Sequence, residues 1–256
     1  MQQACGCKRL ARNLRVVPTP PERKPVEPPR PQRQALLAGG SGLVGSQLLR
    51  LLLDTPDYTR VHAISRRPLP VDSPRLANRI LPLEQVRTQL TGIQCQDAYC
   101  CVGTTLRNAG SEADRRRVDL DLTVGFARAA QGLGATRFIV VTSAGADPSA
   151  RNSYLRVKGE LEQALRELRF DALDVMRPGL LLGMRSELRP LELAGRLLMP
   201  LINPLLHGRQ ARWRGISATD VAAAMLGAAR TRRLGVHAYE GQTLAVLATA
   251  GRRPLS

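Results

Sequence analysis

The sequence predicts an α/β protein in which a doubly wound parallel β-sheet is followed by a small helical region at the C-terminal end. Short apolar runs alternate along the chain with longer segments of helical period, and a glycine-rich turn joins the first run to the first helix. Strands that alternate with helices are typical of parallel sheets with right-handed crossover connections. Apolar residues make up 43% of the chain and aromatic residues only 3%, so the core must be mainly aliphatic.

Six segments have the length and composition of buried strands, because each is a short apolar run close to turn-forming residues. They are residues 35–38, 61–64, 80–83, 98–102, 138–141 and 172–176. Five segments of helical period lie between or after them, at residues 43–53, 113–131, 153–168, 191–199 and 218–229. Strand and helix alternate until about residue 183, after which the pattern loosens into the last two helices.

Residues 1–34 form a leader whose composition predicts disorder. The stretch from Pro18 to Pro31 is rich in proline, arginine and glutamate and has no apolar period. Such a composition cannot bury enough apolar surface to offset the entropy lost on ordering. The leader is either a flexible tail or the result of a start codon assigned too far upstream. We expect the folded domain to comprise residues 35–256, with a substrate region from about residue 184.

The net charge of +17 is carried almost wholly by arginine, since only Lys8, Lys24 and Lys158 among the 38 basic residues are lysines. A basic balance can indicate nucleic acid, an acidic membrane surface or phosphate-bearing ligands. The arginines are scattered, and no aromatic residues alternate with them as in proteins that bind single-stranded nucleic acid. We interpret the excess as GC-rich coding bias and expect no nucleic-acid partner.

The cysteines and histidines give no metal-ligand spacing. The five cysteines are odd in number, Cys100 and Cys101 are adjacent in an apolar run, and the three histidines stand far apart. Because no ligand spacing is present, we expect no metal ion. Reduced thiols are typical of the cytosol, so we expect a cytoplasmic protein. No apolar run is long enough to span a membrane, because residues 191–206, the nearest candidate, are interrupted by charged residues and prolines.

A glycine-rich turn follows the first predicted strand and opens the first predicted helix. Gly40, Gly42 and Gly45 give the spacing G-x-G-x-x-G, while Gly39, Gly42 and Gly45 give G-x-x-G-x-x-G. Glycines let the backbone approach a pyrophosphate, and the helix N-terminus offers free N–H groups and the positive end of a dipole. In this strand–turn–helix context the pattern predicts a Rossmann-type dinucleotide site that includes Leu43 and Val44. The alternative is a glycine turn that binds no ligand.

The end of the second predicted strand favours NADP(H) over NAD(H). An NAD site commonly has an acidic residue there to bond the ribose hydroxyls. This strand is followed instead by Arg66 and Arg67. Arginine suits a 2′-phosphate because its planar guanidinium carries a fixed charge. The alternative is that both arginines are ordinary solvated loop residues.

Three residues after the fifth predicted strand have the chemistry of an oxidoreductase. Ser143 follows that strand directly, and Tyr154 and Lys158 come on the next helix with the spacing Tyr-x-x-x-Lys, which puts both on one face. An ammonium beside a phenol favours the phenolate. We expect Tyr154 to be the general acid/base, Lys158 to assist it and bind the cofactor's ribose, and Ser143 to orient the substrate oxygen. The alternatives are an exposed helical pair and an ordinary turn serine.

Five stretches together resemble the short-chain dehydrogenase/reductase superfamily. They are Gly39 to Gly45, Cys101-Val102-Gly103-Thr104-Thr105, Arg117-Val118-Asp119, Ser143 with Tyr154 to Glu160, and Arg177-Pro178-Gly179. The chain is most similar to the atypical group that includes bacterial relatives of the Tat-interacting oxidoreductase-like protein, and the resemblance covers about residues 35–183.

The resemblance implies roles for further residues. Gly103 and Thr104 would line the cofactor site, and Pro178 would border the nicotinamide. Read from the sequence alone, Gly103 is a strand-end turn and Pro178 a strand terminator. Many members of the superfamily carry an asparagine on the helix after the fourth strand, where this chain has Asp119.

Two functions from different classes follow. The first is an NADP(H)-dependent oxidoreductase, with epimerase-like relatives, acting on a small carbonyl, hydroxyl or sugar-like substrate. The second is a non-catalytic NADPH-binding module that regulates another protein through residues 191–206. The complete set of Ser143, Tyr154 and Lys158 favours the enzyme.

Overall fold

The computed structural model describes residues 33–104, 110–182 and 215–253. All of them belong to one unit of the chain, Gln32–Ser256. Most of the predicted leader and the predicted helix at residues 191–199 lie outside the described residues. The first strand begins at Arg33, so the last two residues assigned to the leader belong to the sheet.

The described residues form nine strands: β1 (Arg33–Ala38), β2 (Tyr58–Ser65), β3 (Leu76–Ile80), β4 (Asp97–Cys100), β5 (Arg137–Val141), β6 (Ala172–Arg177), β7 (Leu181–Leu182), β8 (Ile216–Ser217) and β9 (Gly235–Glu240). Seven of these strands form one parallel sheet in the order β3-β2-β1-β4-β5-β6-β9. The short strands β7 and β8 pair with each other in a separate parallel ladder. The predicted parallel α/β fold is confirmed.

Helices cover both faces of the sheet. They are α1 (Leu43–Asp54), α2 (Val86–Gln89, after a 3-10 turn at Leu83–Gln85), α3 (Glu112–Arg116, a π-helical segment Arg117–Leu122, and Thr123–Gly132), α4 (Ser153–Glu167), α5 (Ala218–Thr231) and α6 (Gln242–Arg252). One apolar cluster joins α1, α5 and α6 to the sheet, and a second joins α2, α3 and α4 to its other face. The sheet is therefore doubly wound.

The central strands are apolar throughout because both of their faces are covered. Leu37 of β1 packs in the cluster with α1, whereas its neighbour Leu36 packs in the cluster with α3 and α4. Ile139 and Val140 of β5 divide in the same way. This continuous burial explains why five of the six predicted strands, all except the third, overlap observed strands over most of their length.

The two edges of the sheet differ from the sequence prediction. The third strand was predicted at residues 80–83 but runs from Leu76 to Ile80. An edge strand is half exposed and needs few apolar residues, whereas Leu81, whose apolar character suggested a strand, is buried just after it. At the opposite edge β9 was not predicted, and its residues are mostly exposed.

A buried polar cluster lies where β4, β1 and β2 begin. Asp97 of β4 forms an ion pair with Arg33 and accepts a hydrogen bond of 2.6 Å from the hydroxyl of Tyr58. The hydroxyls of Tyr58 and Tyr99 are 2.7 Å apart. Burial raises the pKa of both phenols. Buried charges need such partners because desolvation is costly, so this end of the sheet is structural.

Candidate functional site

The site lies at the carboxyl ends of β1 and β4, which are neighbours in the sheet. Successive connections from β1 lead to β2 and β3 on one side, and those from β4 lead to β5 and β6 on the other. Ligands of open α/β sheets bind at such a switch point. Ala38 pairs with Cys100, so the segments that follow the two strands begin side by side.

Three glycines make the turn after β1 possible. Gly39 has a φ of +84°, and a Cβ atom on it would lie 2.7 Å from the carbonyl carbon of Cys101. A Cβ on Gly45 would lie 2.1 Å from the oxygen of Gly39, and one on Gly42 would lie 3.2 Å from it. A Cβ on Gly40 would meet only side-chain atoms, at 3.4 Å. The fold therefore requires glycine at Gly39, Gly42 and Gly45, the spacing G-x-x-G-x-x-G, and does not require it at Gly40.

The N-terminus of α1 is open toward the cavity that this turn borders. Gly42 is the N-cap residue and provides no side-chain cap. The first N–H groups of α1 are thus available to an anion, and the helix dipole favours one there. Gly42, Leu43 and Val44 line a cavity of about 350 Å³. This cradle fits the pyrophosphate of a dinucleotide.

The same cavity extends to two of the three residues predicted to be catalytic, Tyr154 and Lys158. Beyond the turn it is lined by Cys101, Val102, Gly103, Thr104, Arg115, Val141, Thr142, Tyr154, Lys158 and Leu181. The glycine turn, the segment after β4 and helix α4 therefore contribute to one cavity.

Tyr154 and Lys158 lie together at the start of α4. The side chain of Asn152 caps this helix by accepting hydrogen bonds from the backbone N–H groups of Tyr154 and Leu155, at 2.9 and 3.2 Å. The ammonium nitrogen of Lys158 is 5.8 Å from the centroid of the Tyr154 ring. Lys158 is only 3% exposed. A buried ammonium needs a counter-charge.

Asp119 supplies that counter-charge. Its Oδ1 atom is 3.4 Å from Nζ of Lys158 and accepts a 3.0 Å hydrogen bond from the backbone N–H of Thr104. Asp119 is fully buried, and its Oδ2 atom has no hydrogen-bond partner. The residue lies in the π-helical segment of α3, a local geometry that is frequent at functional sites. Asp119 thus connects Lys158 to the segment that follows β4.

Ser143 does not belong to the cavity lining described here. Its hydroxyl is 3.2 Å from the carbonyl oxygen of Ala144, to which it donates. The preceding residue, Thr142, lines the cavity instead. The Thr142 hydroxyl donates to Oε1 of Glu162 at 2.8 Å. The structure brings Tyr154 and Lys158 together in one cavity and places Ser143 outside its lining.

An ion pair between the buried Glu162 and the partly buried Arg177 supports the segment after β5 and was missed from the sequence. Glu162 is 1% exposed, and Nε of Arg177 donates to its Oε1 at 2.9 Å. This hydrogen bond is the main reason that the pKa of Arg177 is raised. The pair joins α4, Thr142 and the end of β6. Glu162 follows Lys158 by four residues, so its position on the same helix face was readable.

The remaining predicted cofactor residues lie outside the lining of this cavity. Arg66 and Arg67 are exposed directly after β2, and the carbonyl of Arg67 accepts a hydrogen bond from Ser65. Pro178 is buried, and its carbonyl accepts a 2.8 Å hydrogen bond from the N–H of Ala144. Pro178 thus supports the segment that contains Ser143.

Cys101 forms part of the cavity wall as a neutral thiol. Burial raises the pKa of this thiol well above its usual value, and Cys100 beside it adds to the effect. Its sulfur lies 3.7 Å from the sulfur of Met225 on α5. In the part of the chain that the structure describes, no cluster of acidic, histidine or cysteine side chains could hold a metal ion.

The chain is similar in sequence to several curated proteins. It is 36% identical over 168 residues to Protein HTATIP2 of Rattus norvegicus, covering 64% of this chain and 69% of that protein. It is 31% identical over 229 residues to Protein FMP52, mitochondrial, of Coccidioides immitis (strain RS), covering 83% of this chain and 92% of that protein. No protein-family model matches the chain.

Solved structures share its fold. MoeE5 in complex with UDP-glucuronic acid and NAD superposes with a TM-score of 0.62 at 18% identity, covering 81% of this chain and 76% of MoeE5. The human epimerase family protein SDR39U1 with NADPH gives a TM-score of 0.56 at 19% identity, covering 86% and 81%. At these identities the likeness shows a common Rossmann-type fold.

The fungal relatives correct one expectation. FMP52 of Coccidioides immitis and fmp52 of Emericella nidulans are both named mitochondrial, so the cytoplasmic location expected for this chain is wrong. Cys95, Cys100 and Cys101 are unpaired, but reduced thiols only separate reducing from oxidising compartments. They do not distinguish the cytosol from another reducing compartment. Within residues 33–104, 110–182 and 215–253, no helix has the length and apolar character needed to cross a bilayer.

Proposed function

The chain belongs to the atypical short-chain dehydrogenase/reductase family of HTATIP2 and FMP52, and on that basis we propose that it is an NADP(H)-dependent oxidoreductase. Its substrate is a small molecule with a carbonyl or hydroxyl group, in a sugar-like or similar framework. The region from about residue 184, of which residues 184–214 and 254–256 lie outside the described residues, is proposed to complete the substrate site.

One observation carries this proposal: the open N-terminus of α1 and the pair Tyr154 and Lys158 line the same cavity. The N–H groups after Gly42 bind the pyrophosphate. Gly103 and Thr104, held by Asp119, form the adjoining wall. A ligand bound along the turn therefore extends toward the phenol of Tyr154.

Each residue has a role that its surroundings support. Tyr154 exchanges a proton with the substrate oxygen, and the ammonium of Lys158, 5.8 Å from the centroid of the Tyr154 ring, binds the cofactor's ribose beside it. Asp119 holds that ammonium in place. Ser143, one residue after the cavity wall, orients the substrate oxygen. A bound nicotinamide supplies or accepts the hydride.

Replacing the proposed acid/base tests the enzymatic role. Wild-type protein should consume NADPH with at least one member of a panel of aldehydes, ketones and sugar nucleotides. Tyr154→Phe should lower that rate by about a hundredfold or more, because general acid–base catalysis contributes at least that much. NADPH affinity, measured by fluorescence titration, should be retained.

Two results would contradict this role. Full turnover in Tyr154→Phe would exclude the phenol as acid/base. NADPH binding by the wild type without turnover across the panel would favour the alternative, a non-catalytic module that binds the cofactor.

The preference for NADP(H) is proposed to come from Arg66 and Arg67, which are exposed beyond the carboxyl end of β2. NADPH should bind at least about tenfold more tightly than NADH, as expected for charge-assisted bonds to a 2′-phosphate. The double change of both arginines to glutamine should remove most of that preference. Arg60→Gln is the matched control, because Arg60 is exposed nearer the opposite end of β2. Equal affinities for NADPH and NADH in the wild type would exclude the proposed selectivity.

A further inference from the structure

Arg115 is a buried arginine in the wall of the proposed active-site cavity. It lies in the first turn and a half of α3 and is only 6% exposed. Neither the glycine turn nor the Tyr-x-x-x-Lys spacing requires it. A buried guanidinium is costly unless its charge and its N–H groups are satisfied, so its partners decide what this position can do.

One N–H donor of Arg115 is buried without a partner. A guanidinium offers five N–H donors. The Nη2 atom donates to the hydroxyl of Ser153 at 2.8 Å, whereas the Nε atom is buried and has no hydrogen-bond partner. Such an unpaired buried donor next to a cavity favours an acceptor ligand.

The charge of Arg115 is also weakly compensated. Its nearest carboxylate is that of Glu112, at 3.5 Å from Nη2, and the Glu112 side chain is 65% exposed. By contrast, Lys158 is paired inside the protein with the fully buried Asp119. No acidic residue lines the cavity in the part of the chain that the structure describes. The uncompensated charge of the cavity is therefore positive.

Arg115 lies beside the proposed acid/base rather than beside the glycine turn. Its guanidinium carbon is 5.9 Å from the centroid of the Tyr154 ring. Its hydrogen-bond partner, Ser153, precedes Tyr154 in the chain. An anion held by Arg115 would thus lie close to the substrate oxygen that Tyr154 protonates.

We infer that Arg115 binds an anionic group of the substrate, which is a carbonyl or hydroxy compound bearing a carboxylate or a phosphate a few bonds from the reacting carbon. This inference rests on the proposed function, because it places the anionic group of the substrate beside Tyr154, the proposed acid/base. A planar guanidinium suits either anion because it can donate two parallel hydrogen bonds.

Isothermal titration calorimetry with an isosteric pair of probes tests the inference. Butanoate and the uncharged butanamide are titrated into the free protein and into its NADPH complex. Butanoate should bind about tenfold more tightly than butanamide, as expected for a charge-assisted bond. Inorganic phosphate is titrated into the NADPH complex, in which the glycine turn is already occupied. Tighter binding of butanoate than of phosphate would indicate a carboxylate substrate, and tighter binding of phosphate would indicate a phosphorylated one.

Variants of neighbouring arginines locate the effect. Arg115→Gln should abolish the preference for butanoate, and Arg115→Lys should retain part of it. Arg116→Gln should leave the preference unchanged, since Arg116 is half exposed and pairs with Glu160 on the surface. Thermal unfolding of each variant checks that it is folded. Because the wild-type preference is measured first, misfolding of one variant does not remove the test.

Three outcomes would overturn the inference: equal binding of the two probes, no detectable binding of either butanoate or phosphate, or a preference that survives in Arg115→Gln. A loss of NADPH affinity in Arg115→Gln with the butanoate preference intact would assign the residue to the cofactor instead. If NADPH fails to bind while free protein prefers butanoate through Arg115, the proposed function is wrong and the anion site stands.

Discussion

At the scale of single residues, Tyr154 differs from the other three tyrosines of the chain. Tyr58 and Tyr99 lie in the buried polar cluster at the opposite end of the sheet, and burial raises the pKa of each. Burial, together with Asp174, raises the pKa of Tyr239 to about 12. Tyr154, by contrast, lines the cavity that the glycine turn borders.

Replacing the ammonium tests the pairing of Tyr154 with Lys158. Lys158→Met should lower the rate of NADPH consumption by about tenfold or more and weaken NADPH binding, because the ammonium lies 5.8 Å from the centroid of the Tyr154 ring and is proposed to bind the cofactor's ribose. Turnover and NADPH affinity equal to those of the wild type would show that the ammonium contributes to neither.

Asp119→Asn should destabilise the protein by about 3 kcal/mol or more. The amide oxygen can still accept the N–H of Thr104, but the buried ammonium of Lys158 loses its counter-charge, and an uncompensated buried charge is costly. Thermal unfolding measures the effect. Unchanged stability would mean that Asp119 does not balance Lys158.

Sequence reasoning identified Lys158 because lysine is rare in this chain, and it could not identify Arg115 because arginine is common. The pair Tyr154 and Lys158 is a local feature of one helix, which spacing alone reveals. Helix α3 positions Arg115 and Asp119 at the site. No residue pattern in the sequence predicted the π-helical segment of this helix. Contacts between separate elements depend on packing that spacing does not encode.

At the scale of elements, the turn between β1 and α1 depends on glycine at specific positions. Gly45→Ala should destabilise the protein by about 2 kcal/mol or more, since the new methyl would lie 2.1 Å from the oxygen of Gly39. The same change should weaken NADPH binding. Thermal unfolding and fluorescence titration measure the two effects.

Gly40→Ala is the matched control for this element. Its methyl would meet the Leu37 and Leu69 side chains at 3.4 Å, a distance close to ordinary contact. Stability and NADPH affinity should change little. Equal losses in Gly40→Ala and Gly45→Ala would contradict the assignment of the turn to Gly39, Gly42 and Gly45.

Elements buried on both sides were predictable and edge elements were not. Strands β1 and β5 lie inside the sheet and read as continuous apolar runs. The edge strand β9 exposes Val236 and has no such run. Helix α6, which follows β9 and packs on α5, was missed with it.

At the scale of the whole molecule, the two ends of the sheet have different tasks. Where the strands begin, Asp97, Arg33 and Tyr58 form a closed polar cluster. Four buried polar atoms of the described residues lack partners, and two of them, on Arg115 and Asp119, lie near the ends of β1 and β4, while the others belong to His62 and Glu240. Unsatisfied groups are rare in stable interiors, so the two beside the cavity support a ligand-binding role there.

A crystal structure of the protein with saturating NADPH would show directly whether the cofactor lies between the glycine turn and Tyr154. We expect the pyrophosphate to lie against the N–H groups after Gly42, with the nicotinamide ribose within about 3 Å of Nζ of Lys158. The Tyr154 hydroxyl should face the nicotinamide ring. A cavity without NADPH, or a nicotinamide bound away from Tyr154 and Lys158, would contradict this placement.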